Sequence, residues 1–176
     1  FITKTKSAFF SANLSICPGA SANITAGGGT GYTWYNGATS IGATSTVSVS
    51  PAATTQYSCV VTSGACSATV YTTVTVRTPP AAPTVTASGP TTICAGASFT
   101  PVLSSNVCYG TPPIAYAWNF NPNNTIPLTS QPNPLSSNLQ NPGPIIYPTD
   151  GTFPFSVSAT NECGTTTANS TIVVKP

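Results

Sequence analysis

Ile16-Cys17-Pro18-Gly19-Ala20-Ser21 returns later in the chain as Ile93-Cys94-Ala95-Gly96-Ala97-Ser98. It is the first of several landmarks that occur twice and in the same order. Tyr32-Thr33-Trp34-Tyr35-Asn36 returns as Tyr116-Ala117-Trp118-Asn119-Phe120, so the two tryptophans of the chain hold equivalent places. Tyr57-Ser58-Cys59-Val60-Val61-Thr62 matches Phe155-Ser156-Val157-Ser158-Ala159-Thr160, and Cys66 or Cys163 follows within a few residues. Each copy closes on an alternating segment, Val70 to Val76 and Thr171 to Val174. Repetition at this scale means one structural unit used twice.

The units read as all-β. Thr46-Val47-Ser48-Val49-Ser50 and Thr72-Thr73-Val74-Thr75-Val76 alternate with period two, as strands with one buried face do. Gly, Pro and Asn clusters punctuate them, and no helical periodicity runs beyond a turn. Short strands at this spacing predict two β-sandwiches of about 80 to 95 residues each. The expected division is 1–78, a Pro-rich linker at 79–83, and 84–176. The second copy is longer, chiefly over Asn119 to Gly143, a stretch rich in Asn, Pro and Ser that reads as an elaborated loop or an extra edge hairpin.

Only Lys4, Lys6, Arg77, Lys175, Asp150 and Glu162 carry charge, 3% of 176 residues, and the net charge is +2. Four scattered cations cannot neutralise a run of phosphates, so nucleic acid is an unsuitable partner. Near-zero net charge removes self-repulsion and favours association of the protein with itself. With no histidine and two carboxylates, each alone among neutral neighbours, general acid/base catalysis lacks its groups, so no enzyme and no cofactor is expected. A metal site is equally unexpected. No apolar run approaches the roughly 20 residues of a membrane-spanning helix. Six cysteines without C-x-x-C spacing point to disulfides and to a secreted or cell-surface location. The chain starts at Phe1 and has no methionine, as a processed product or an excerpt of a longer chain would.

Taken together, a cysteine just before the second strand in I-C-x-G-A-S, a Y-x-W core strand, a strand ending in Pro and the Y-x-C/V-x-V-T strand before a further cysteine resemble the Ig-like and PKD-like repeats of bacterial cell-surface adhesins and extracellular fibre proteins. The resemblance runs from about residue 6 to residue 174. It implies two tandem immunoglobulin-like β-sandwiches with Trp34 and Trp118 in their cores, and Tyr57 and Phe155 near the corner of the penultimate strand. Phe155 has no hydroxyl, so it cannot make a tyrosine-corner hydrogen bond.

Within the repeat, Cys17 and Cys66 correspond to Cys94 and Cys163, so Cys17–Cys66 and Cys94–Cys163 are the economical pairings. Each would close a loop of about 50 to 70 residues and stabilise its unit by roughly 4 kcal/mol. Cys59 and Cys108 are then left over and could pair with each other, within a chain or between chains. An antibody-type Cys17–Cys59 bond is the competing scheme.

These features predict a structural subunit of an extracellular fibre or surface appendage, assembling head to tail by β-strand addition. The N-terminal segment Phe1 to Ser11 is the candidate assembly arm, with Phe1, Ile2, Phe9 and Phe10 as apolar anchors; the part from Lys6 to Ser11 also aligns with Pro83 to Ser88 and reads alternatively as the first strand of its own unit. The exit Ile172-Val173-Val174-Lys175-Pro176 also resembles the internal junction Val74-Thr75-Val76-Arg77-Thr78. The alternative is an adhesin segment that grips a glycan or a protein through the 119–143 stretch, where Phe120 is the one aromatic. Asn13, Asn23, Asn123 and Asn169 lie in N-x-S/T sequons and are candidate glycosylation sites.

Overall fold

A computed structural model describes residues 7–87, 90–103, 111–112, 114–122, 124 and 126–176. The chain forms two compact units, Phe1–Arg77 and Thr78–Pro176. Of the residues singled out above, Phe1, Ile2, Lys4, Lys6, Cys108 and Asn123 lie outside the described ones.

In the first unit the strands are β1 (Phe9–Phe10), β2 (Leu14–Ile16), β3 (Ala22–Gly27), β4 (Gly31–Asn36), β5 (Thr39–Gly42), β6 (Thr46–Val49), β7 (Thr55–Ser63) and β8 (Cys66–Val76). They build a five-stranded sheet in the order β2-β8-β7-β4-β5 and a three-stranded sheet in the order β1-β3-β6. The alternation of small polar and apolar residues decides which face turns inward. Tyr57, Cys59 and Val61 of β7 are buried, while Ser58 and Val60 between them are less so. They meet Ile24, Ala26, Trp34, Val49 and Val74 in one core.

The N-terminal segment serves both sheets. Phe9 and Phe10 pair antiparallel with Gly27 and Ala26, and Leu14 to Ile16 then pair in parallel with Val74 to Val76. Phe9 and Phe10 are therefore engaged in their own unit, which corrects their expected role as anchors donated to a neighbour. Both residues stay exposed, at 57% and 45%.

The second unit follows the same plan with β9 (Val85–Ala87), β10 (Thr92–Cys94), β11 (Ser98–Phe99), β12 (Pro101–Leu103), β13 (Ala115–Asn119), β14 (Ser136–Ser137), β15 (Ile145–Ile146), β16 (Gly151–Asn161) and β17 (Gly164–Lys175). Its five-stranded sheet, β10-β17-β16-β13-β14, repeats the first unit's order strand for strand. The opposite layer is split into the ladders β11-β15 and β12-β9. Pro101 stands at the split, and proline has no N–H to give a ladder. The core is rich in aromatics: Trp118 stacks on Phe120 at 6.0 Å and on Phe155 at 6.4 Å, and Phe99 meets Phe155 at 5.6 Å.

The expected loop from 119 to 143 is largely a cover for this core. Phe120 is fully buried and Ile126 nearly so, and Asn121 turns the chain by accepting the Ile126 amide on Oδ1. β14 pairs with Trp118 and Asn119 as β5 pairs with Trp34 to Asn36, so it is the counterpart of β5 and not an added hairpin. The Pro-rich stretch after Arg77 packs on the second unit: Pro80 and Pro83 are buried, and Thr166 donates its hydroxyl to the Ala81 carbonyl at 2.9 Å.

The repeated I-C-x-G-A-S segment is a tight turn in both units. Ala20 donates to the Cys17 carbonyl at 3.1 Å and Ala97 to the Cys94 carbonyl at 3.0 Å. Gly19 and Gly96 take φ of +80° and +77°, the third position of a type II turn, where a side chain is disfavoured. A Cβ at either position would meet no atom within 4 Å, so the cost of replacing it is conformational alone. Gly19→Ala and Gly96→Ala should each destabilise their unit by about 1–2 kcal/mol, measured by denaturant unfolding. The Tyr147 hydroxyl is buried and finds no hydrogen-bond partner among the described residues, and burial pushes its pKa well up. Tyr147→Phe should therefore hold or raise stability, by up to about 1 kcal/mol, read as an unchanged or higher Tm.

Candidate functional site at the poles of the sandwiches

β8 spans eleven residues and β17 twelve. At about 3.3 Å per residue each is a rod of more than 30 Å, running from one pole of its unit to the other. At one pole of the first unit Ile16 pairs with Val76, and Arg77 donates its amide to the Ile16 carbonyl at 2.9 Å. Cys17 follows directly, so it sits where the chain leaves this unit. Cys66 opens β8 at the other pole, paired with Ser63 across the β7–β8 turn.

The second unit repeats this layout. Cys94 pairs with Lys175 at the end of β17. Cys163 lies at the opposite pole, in the turn that joins β16 to β17. That pole is also where the chain enters the unit. Asn161 donates Nδ2 to the carbonyls of Thr78 at 2.8 Å and Thr111 at 3.0 Å, and accepts the Cys163 amide at 2.9 Å. This nearly buried asparagine ties the incoming chain to the turn that carries the cysteine.

These positions overturn the expected disulfides. Cysteine Cα atoms must approach within about 7 Å to be bridged. Cys17 and Cys66 are separated by the length of β8, and Cys94 and Cys163 by the length of β17. Cys17 and Cys163 are disulfide-bonded, whereas Cys59, Cys66 and Cys94 are free thiols. Neither Cys17–Cys66 nor Cys94–Cys163 forms. The competing Cys17–Cys59 bond is absent for the same reason. Cys59 faces the core with no exposure, its thiol raised above the usual range by burial and partly offset by a backbone hydrogen bond at Thr33. Cys108, the partner considered for it, lies outside the described residues.

The remaining predicted residues fall into place within each unit. Trp34 and Trp118 are buried, and each indole donates to a backbone carbonyl at 3.0 Å, Thr44 for the first and Leu139 for the second. Tyr57 and Phe155 are buried on the penultimate strands, and burial raises the Tyr57 pKa against a hydrogen bond to the Thr55 side chain that lowers it. Asn13, Asn23 and Asn169 have exposed side chains; Asn13 accepts the Thr73 amide at 3.2 Å. Asp150 and Glu162 flank the two ends of β16, on the order of 35–40 Å apart along the strand. A pair of glycosidase carboxylates needs about 5–10 Å, so these two do not form one. The buried Phe120 is likewise unable to stack on a sugar.

No protein-family model matches the chain, and no curated protein does. Solved structures do match over nearly its whole length. Sidekick-1 immunoglobulin domains 1–4 align with 99% of this chain and 51% of theirs at a TM-score of 0.54 and 18% identity. Drosophila OTK, extracellular domains 3–5, aligns with 97% of this chain and 62% of its own at 0.53 and 14% identity. The chain thus spans about half to three fifths of those proteins' length. At such identities the likeness shows the fold: tandem immunoglobulin-like β-sandwiches.

Exposure should rank the free thiols. In the native protein a maleimide should label Cys66 and Cys94 rapidly and leave Cys59 unlabelled until the protein is denatured, as read by mass spectrometry of the modified peptides. Rapid native labelling of Cys59 would contradict its placement in the core.

Proposed function

We propose that the chain is a structural subunit of an extracellular fibre or surface appendage that assembles head to tail. The observation that carries this reading is the repetition of one pole. Each unit finishes its last strand beside the same Cys-x-Gly turn, with Ile16 paired to Val76 in one and Ile93 paired to Val174 in the other. A surface that occurs at the end of both units suits the addition of further modules in series. The scarcity of charge leaves little repulsion between copies, and disulfides at Cys17 and Cys163 suit an oxidising compartment outside the cell.

Strand addition supplies the contact in this reading. β14 pairs with β13 only at Trp118 and Asn119. The outer edge of Ala115, Tyr116 and Ala117 therefore has no partner strand among the described residues, and an open edge accepts an extended segment. Because Phe9 and Phe10 belong to their own unit, the donated segment is residues 1–6 of the next copy, with Phe1 and Ile2 as anchors.

A second reading, an adhesin segment with a protein target, draws on the apolar surface of the 119–143 stretch. Leu128 and Leu139 are 86% and 59% exposed there. With Phe120 withdrawn into the core, this stretch favours a protein over a glycan.

Negative-stain electron microscopy of the intact chain should show filaments. Deletion of residues 1–6 should yield folded monomers with an unchanged Tm and no filaments. Filaments from the truncated chain would overturn strand addition by this arm, and dispersed particles of the intact chain would move the reading to the adhesin.

A further inference from the structure

The outward face of the first unit's five-stranded sheet carries two tyrosines in one cross-strand row. Ser40, Tyr35, Ser58 and Tyr71 stand side by side on β5, β4, β7 and β8. Their neighbours along the strands, Trp34, Cys59 and Thr72, are buried, so strand alternation turns this row toward solvent. Tyr71 is 54% exposed and Tyr35 is partly so. Two strand spacings separate the tyrosines, about 9–10 Å. Gln56 and Thr73, paired in the next outward row, add an amide and a hydroxyl beside Ser58. None of the five strands contains a charged residue.

The second unit has the same row with different residues. Ser136, Asn119, Ser156 and Asn169 occupy β14, β13, β16 and β17 in the same register. Both serines recur, and both tyrosines become asparagine. The sandwich plan therefore forms without an aromatic at either position, and the tyrosine pair of the first unit is surplus to its fold. We propose that the row Tyr35–Ser58–Tyr71 is a binding site for a neutral, extended polysaccharide of β-1,4-linked pyranose rings.

The chemistry of the face selects this ligand. A pyranose ring has an apolar C–H face that stacks on an aromatic ring, and a rim of hydroxyls that both donate and accept hydrogen bonds. Tyr35 and Tyr71 supply the rings, while Ser58, Gln56 and Thr73 supply donors and acceptors of the same neutral kind. An ionic partner finds no counter-charge on these strands, whereas a neutral sugar needs none. Geometry narrows the class further. In a β-1,4-linked chain successive rings are turned over, so every second ring presents the same face, and the separation of the tyrosines is close to that two-ring repeat. An α-1,4-linked glucan coils and cannot lay two such rings along one row. The site lies within the first unit of a single chain, apart from the 119–143 stretch and from the strand edge invoked for assembly.

The test is isothermal titration calorimetry of the full chain with cellohexaose and chitohexaose, and with maltohexaose as the coiled, α-linked comparison. At least one of the two β-linked sugars should bind at a single site per chain, and maltohexaose should bind about tenfold more weakly or not at all. Tyr35→Asn and Tyr71→Asn install the residues that the second unit already carries, so both variants should fold with an unchanged Tm. Each should weaken binding about tenfold, and the double variant should abolish it. Tyr71→Phe should retain binding, because stacking uses the ring and not the hydroxyl. Asn119→Ala, in the equivalent row of the second unit, should leave the affinity as it was. No heat with either β-linked sugar, equal affinity for maltohexaose, or full affinity in the folded Tyr35→Asn/Tyr71→Asn variant would overturn the proposal.

Discussion

Everything else in each unit is arranged around a buried tryptophan whose indole hydrogen is satisfied by a backbone carbonyl across the core. Trp34 donates to Thr44 and Trp118 to Leu139, both at 3.0 Å. An indole buried without that bond would cost the unit dearly, so each loop that supplies the carbonyl is held at a fixed depth. In the first unit the loop is the short link between β5 and β6. In the second it belongs to the long stretch after β13, and this explains why so much of that stretch is drawn inward with Phe120 and Ile126. The same tryptophan fixes the register of the strand beside it, against Cys59 in one unit and Val157 in the other. From that register follow the inward alternation of the penultimate strand and the position of its hairpin turn.

Much of this was legible in the residues. The doubled landmarks located both units and both tryptophans, because each reflects a local rule: a period of two, and an aromatic too large to leave outside. The cysteine pairing was not legible, for a reason of length. The closing strands read as Val70 to Val76 and Thr171 to Val174 because only those parts alternate valine or isoleucine with threonine. The strands in fact begin at Cys66 and Gly164, through Ser, Thr and Ala residues that look like loop. Small hydroxyl residues can run as strand when they pair with one another, as Ser158 with Thr167 at 2.8 Å and Thr160 with Thr165 at 2.9 Å. Those additional residues carry the two cysteines of each repeat to opposite poles. Equivalence between copies was readable; distance within a copy was not.

The assembly arm shows the same limit on a smaller scale. Phe9 and Phe10 look like free apolar anchors in a linear sequence, yet two ladder pairs with β3 and the return of the chain along β8 commit them to their own sandwich. The alignment of Lys6 to Ser11 with Pro83 to Ser88 offered that placement as the alternative, but pairing of this kind joins residues far apart in sequence, and nothing in a ten-residue window decides it.

The parallel pairing of β2 with β8, and of β10 with β17, has a mechanical meaning. A pull applied between the start and the end of a unit draws the first strand of each pair backwards and the last strand forwards, along their shared axis. The hydrogen bonds between them are then sheared together instead of being peeled apart one after another, so a tug on the chain meets its stiffest resistance at the seam between the second strand of each unit and its last.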